Sequence, residues 1–169
     1  MWYHYIFIGL IALMICGFFW KWLHRNKIKR MQTTIKNMIL DVSDDAEVAF
    51  LSDDIMGMSI GDYVAFVKII IINPDHELIL ASKNKWVINK KPSEWKKSST
   101  PDFIPRVEAF QSMSQAEDVD DSIVLVYPRA KIMRYYRNES NVHIFTSKET
   151  VHGSLFLSWD DFREYLKTK

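Results

Sequence analysis

"GDYVAFVKIIIIN", residues 61–73, is the stretch whose reading decides the fold. It is rich in β-branched residues and ends at the turn signal Asn73-Pro74-Asp75. Its run Ile69 to Ile72 is apolar on both faces, which predicts a central strand covered on two sides. Working outward, "HELILAS" (76–82) is expected to fold back as a hairpin across the Asn-Pro-Asp turn, and "KWVIN" (85–89) to extend that hairpin or add a strand. On the other side, "AEVAFLS" (46–52) is a short strand candidate.

The rest of the chain alternates loops, helices and short strands. "KKPSEWKKSSTPDFIP" (90–105) reads as a loop from its Pro, Ser and Lys content, and "RVEAFQSMSQAEDV" (106–119) as a short helix. "SIVLVYP", "AKIMRYYRN", "NVHIFTS" and "GSLFLSW" then give four strands, and "SWDDFREYLK" (158–167) closes the chain as a helix. In that helix Ser158 is the expected N-cap, and Asp160 and Asp161 suit the positive end of the helix dipole. Upstream, Ile28, Met31, Ile35, Met38 and Ile39 follow helical spacing and predict an amphipathic helix.

Residues 1–20 carry no group charged at neutral pH. An apolar run of roughly 20 residues matches the hydrocarbon thickness of a bilayer, so a single transmembrane helix is expected. Trp2, Tyr3, Trp20 and Trp22 stand at its two ends, where aromatic rings suit a membrane interface. Lys21, Arg25 and Lys27 lie on its C-terminal side. By the positive-inside rule this places the N-terminus outside and the following domain in the cytoplasm, on the inner membrane of the cell. Gly9, Ala12 and Cys16 share one helical face and are candidates for close helix packing. The expected organisation is a transmembrane helix over 1–23, a juxtamembrane amphipathic helix over 24–42, and a cytosolic domain over 43–169. The expected fold class is α+β, with a mainly antiparallel sheet and a few helices behind the transmembrane helix.

Chemistry is sparse. The single cysteine, Cys16, lies in the apolar stretch, so the remainder has no thiol nucleophile, disulfide or cysteine metal site. There is no phosphate-cradling glycine loop and no histidine pair at metal-ligand spacing. His143 and His152 are expected on neighbouring strands, where they could meet across a hairpin. No catalytic residue, metal site or cofactor is assigned, and the expectation is a protein that is not an enzyme.

The net charge of +1 conceals basic stretches interleaved with aromatic rings. One holds Trp86, Lys90 and Lys91; the other, "PRAKIMRYYR" (128–137), holds Arg129, Lys131, Arg134 and Tyr136. Read as a strand, Arg129, Lys131 and Met133 share one face, and Arg134 and Tyr136 the other. Cations beside aromatic rings suit a ligand that combines phosphate with a base. The same stretches could equally bind lipid headgroups or an acidic protein partner, or form a solvated surface balancing the acidic stretches at 41–62 and 117–121; these seven residues are the ones to suspect if a ligand is bound.

The span "IFIGLIALMICGFFW" (6–20), the basic exit "KWLHRNKIKR" (21–30) and the basic-aromatic stretches together resemble, in their order of parts, the membrane effectors of prokaryotic antiviral defence. These include CRISPR-associated effectors that bind cyclic oligoadenylate. The resemblance implies a homo-oligomer gated by a cyclic nucleotide or another anionic ligand, acting on the membrane, with no duplex nucleic acid as partner. The alternatives are a membrane-tethered immunity or exclusion protein that binds a toxin or phage protein, and an accessory subunit of a membrane complex.

Overall fold

The computed structural model describes residues 2–90, 102–138 and 141–169. Helix α1 (Trp2–Leu40) leads into a meander of β1 (Ala46–Phe50), β2 (Ile55–Ile60) and β3 (Tyr63–Ile71). Then follow β4 (Glu77–Ser82), β5 (Lys85–Asn89), β6 (Asp102–Phe103), α2 (Val107–Met113) and β7 (Asp121–Tyr127). The chain continues through β8 (Ile132–Asn138), β9 (Asn141–Phe145), β10 (Glu149–Val151) and β11 (Ser154–Leu157) to α3 (Trp159–Leu166).

The strands make a six-stranded sheet, β1-β2-β3-β7-β11-β10, and a five-stranded sheet, β6-β5-β4-β8-β9. Side-chain alternation explains how the layers stack. From β3, Ala65, Val67 and Ile69 point to one face of the large sheet, joined by Ile123 and Leu125 of β7 and Leu157 of β11. Met31, Ile35 and Ile39 of α1 and Phe162 and Leu166 of α3 cover that face. Ile70, Val124, Val126 and Phe156 point the other way, against Leu78, Leu80 and Trp86 of the small sheet and Phe110 of α2. The order of layers is thus helices, large sheet, small sheet. β3 is a middle strand of the large sheet, as its doubly apolar run predicts.

Several expectations are corrected. Two sheets form in place of the one expected, and both are mixed: β7 runs parallel to β3 and to β11, and β4 parallel to β8, while the other six pairings are antiparallel. The segment 76–82 does not fold back on β3. After Ile72 donates its N–H to the Tyr127 carbonyl at 2.9 Å, the chain crosses into the other sheet, where β4 pairs with β5 and β8. Arg129 and Lys131 precede β8 instead of lying in it.

The expected transmembrane helix is also overturned: among the described residues, no helix is long and apolar enough to cross a membrane. α1 is a single uninterrupted helix from Trp2 to Leu40. Beyond Leu23 it carries the exposed Lys27, Lys29 and Arg30, and its last turns are committed to the domain core through Ile35 and Ile39.

Candidate functional site

A cleft of about 600 Å³ lies between the end of α1 and α3. That is within the range of roughly 300–1,000 Å³ usual for small-molecule sites. Thr34, Met38, Asp41 and Val42 form one wall, and Trp159, Arg163, Leu166 and Lys167 the other. In α3 the residues Trp159, Arg163 and Lys167 recur every fourth position, so they stand on one face of the helix.

Both walls are held firmly. Ser158 caps α3 and accepts the Asp161 N–H at 3.3 Å. The hydroxyls of Ser147 and Ser158 both donate to the Asp161 carboxylate, and these bonds hold its pKa down at about 2. At the other end of α3, the Tyr63 hydroxyl donates to Asp121 Oδ2 at 2.9 Å and lies 2.7 Å from the Tyr165 hydroxyl. Burial first, then these bonds, push the Tyr63 hydroxyl pKa far up, so it stays a neutral donor. Trp159 meets the edge of Tyr127 at 5.4 Å between ring centroids, which fixes its orientation at the groove.

α1 is tied to the sheet by Met31, Ile35 and Ile39, and by Gln32, whose amide donates to the Ser52 carbonyl at 3.0 Å. Ser52 begins a buried ionic knot. Its hydroxyl donates to Asp54 Oδ1 at 3.0 Å, Lys68 Nζ donates to Asp54 Oδ2 at 2.9 Å, and Arg106 reaches Asp54 Oδ1 at 2.6 Å. Lys68 is wholly buried and also donates to the Pro105 carbonyl at 2.9 Å. Burial works against the Asp54 carboxylate, but the hydrogen bonds and charges of Lys68 and Arg106 outweigh it and hold its pKa below the usual value.

Arg163 and Lys167 are exposed, and neither has an ion-pair partner among the described residues. Two uncommitted cations beside an indole are what a compact anion with a flat ring needs. Guanidinium and ammonium groups take phosphate oxygens, and the indole takes the ring face. Asp41, on the opposite wall, can accept from an exocyclic amine.

The seven residues singled out from the sequence do not assemble into such a site. Trp86 is 1% exposed, with its indole N–H given to the Lys83 carbonyl at 3.0 Å. Its ring packs on Phe110 and Phe156 at 6.2 and 5.5 Å, so it has no face left for a ligand. Arg134 is held 2.6 Å from the buried Glu77, and Lys90 is held 2.7 Å from Asp102. Arg134 and Tyr136 do share a strand face, but the opposite positions, Met133 and Tyr135, face the core. Arg129 and Lys131 are exposed on the approach to β8. Lys91 lies outside the described residues, as do the side chains of Trp2, Tyr3, Ala12, Trp20, Lys21 and Arg25 and the surroundings of Gly9. Trp22, Lys27 and Cys16 are exposed on α1.

Lys90 and Asp102 also border a second cleft of about 480 Å³, floored by Ile69 to Ile72 and touched by Ile28 of α1. His143 and His152 approach the same ring, Tyr135, at 5.2 and 5.9 Å, from different sheets rather than across one hairpin. No metal-ligating cluster occurs among the described residues.

No protein-family model matches this chain, and neither does any curated protein or solved structure.

The α1–α3 groove was missed because the closing helix reads from sequence as a capped amphipathic helix and nothing more. The available signal was the recurrence of Trp159, Arg163 and Lys167 at every fourth position, beside the buried Phe162 and Leu166.

Proposed function

We propose that this protein is a non-catalytic ligand-sensing module, with the groove between α1 and α3 as the place where a small nucleotide-like anion binds. The observation that carries this reading is the alignment of Trp159, Arg163 and Lys167 along a cleft whose other wall is α1. Arg163 and Lys167 take the phosphate charge, Trp159 and Met38 hold the base, and Asp41 accepts from its amino group. A ligand there presses on the same helix whose far end projects from the domain, so occupancy is transmitted as a change in how α1 seats on the large sheet. Cations beside an aromatic ring thus meet in a different set of residues from those in the basic stretches, and cyclic nucleotides are the first ligand class the groove suits.

The test is titration calorimetry of the full chain against linear and cyclic mono-, di- and oligonucleotides. One member should bind, and Arg163→Gln with Lys167→Gln should weaken it by tenfold or more, since charge-assisted hydrogen bonds contribute about 1.5–3 kcal/mol each. These side chains are exposed, so the melting temperature should not change. A flat panel, or binding indifferent to both substitutions, sinks the proposal.

A further inference from the structure

We infer that the exposed face of α1 between Met14 and Arg30 docks on a lipid surface bearing anionic headgroups. Met14, Ile15, Phe18, Phe19, Trp22 and Leu23 are all exposed, Phe18 to 79%. At 3.6 residues per turn these positions sweep roughly half the helix circumference. Phe19 and Trp22 stack on each other at 5.7 Å and 26°, so the patch is a formed surface rather than scattered residues. With Met14, Ile15 and Phe18 they form one contiguous apolar surface.

A patch this apolar calls for a covering, and its neighbours say which. Lys27, Lys29 and Arg30, all exposed, follow it on the side of the domain. A bilayer meets both demands at once: acyl chains and the interfacial region take the rings, and headgroup phosphates take the cations. A second copy meets them less well. A parallel pair of α1 helices would set these three cations against their own counterparts, and an antiparallel pair would lay them along apolar residues. The apolar swath is also wider than the narrow seam of a two-helix coiled coil. This inference does not depend on the groove ligand, since the two sites share no residue.

The test is flotation of the full chain with vesicles of phosphatidylcholine alone and of phosphatidylcholine mixed with phosphatidylglycerol, at low and high salt. Binding should favour the anionic vesicles and weaken as salt is raised. A Lys27→Gln, Lys29→Gln, Arg30→Gln variant should lose affinity on the order of a hundredfold. A Phe18→Ser, Phe19→Ser, Trp22→Ser variant should no longer float, and its thermal melt should be unchanged because these side chains touch no domain core. Equal flotation with neutral vesicles overturns the inference. So does failure to float, whether the chain sediments as a monomer or as an oligomer that the serine variant dissociates.

Discussion

Replacing Asp54 by Asn tests the buried ionic knot most directly. In the native chain this carboxylate accepts from Lys68, which has no exposed surface, and from Arg106, whose side chain is 45% exposed. Removing one partner of a buried pair typically costs about 3–5 kcal/mol, because the other charge is left uncompensated in a poorly polarisable interior. The expected cost here is about 3 kcal/mol, since the asparagine oxygen and the Pro105 carbonyl still accept from Lys68. Lys68→Met should cost less, about 1–2 kcal/mol, because Asp54 keeps Arg106 and Ser52. The double variant should be more stable than the sum of the two losses predicts, since no lone buried ammonium remains.

A pH series separates this account from simple loss of packing. Burial already pulls the Lys68 pKa below its ordinary 10.5, against the opposing pull of Asp54. Without that carboxylate the folded-state value falls further. The penalty in Asp54→Asn is therefore full below the folded pKa and fades as pH rises toward the unfolded value. Urea unfolding at a series of pH values, analysed with a common slope, reads this out. A loss under about 1 kcal/mol, a loss that does not change with pH, or strict additivity in the double variant would refute the reasoning.

Other perturbations have equally definite outcomes. Ser158→Ala removes the cap of α3 and one of the two hydroxyls held by Asp161, and should cost about 1 kcal/mol in urea unfolding at neutral pH. Because the Asp161 pKa is lowered from 3.8 to about 2, its support is present above the unfolded value and is lost as pH falls through that window. The wild type should accordingly lose more stability than Ser158→Ala between those two values. Trp86→Ala should cost about 3–5 kcal/mol by emptying the space between Phe110 and Phe156, with no effect on the binding proposed for the groove; preserved stability would overturn its placement in the core.

Much of the element list was legible because it rests on short-range periodicity. The β-branched run that ends at Ile72, helical spacing from Ile28 to Ile39, and the Ser158 cap can each be read from a dozen residues. The partition of strands between two sheets could not be read that way. The 76–82 segment has the same local pattern whether it pairs with β3 or with β8, and only the contacts of distant strands distinguish the two. The fate of single charged and aromatic residues was hidden for the same reason. Nothing near Trp86 announces that Phe110 and Phe156 will enclose it, and nothing near Arg134 announces that Glu77 will bind it.

What the sequence by itself determined is the α+β class, the position of most helices and strands, the central place of β3, and the basic-aromatic character of the chain. Those follow from local backbone preference and from which side chains avoid water. The tertiary structure alone decided the mixed sheets and which cations remain uncommitted. Charges such as Lys68, Lys90 and Arg134 are neutralised by carboxylates far away in sequence, whereas Arg163 and Lys167 meet none among the described residues. Electrostatic pairing is a matter of distance in space, and distance in space is set only when the layers pack.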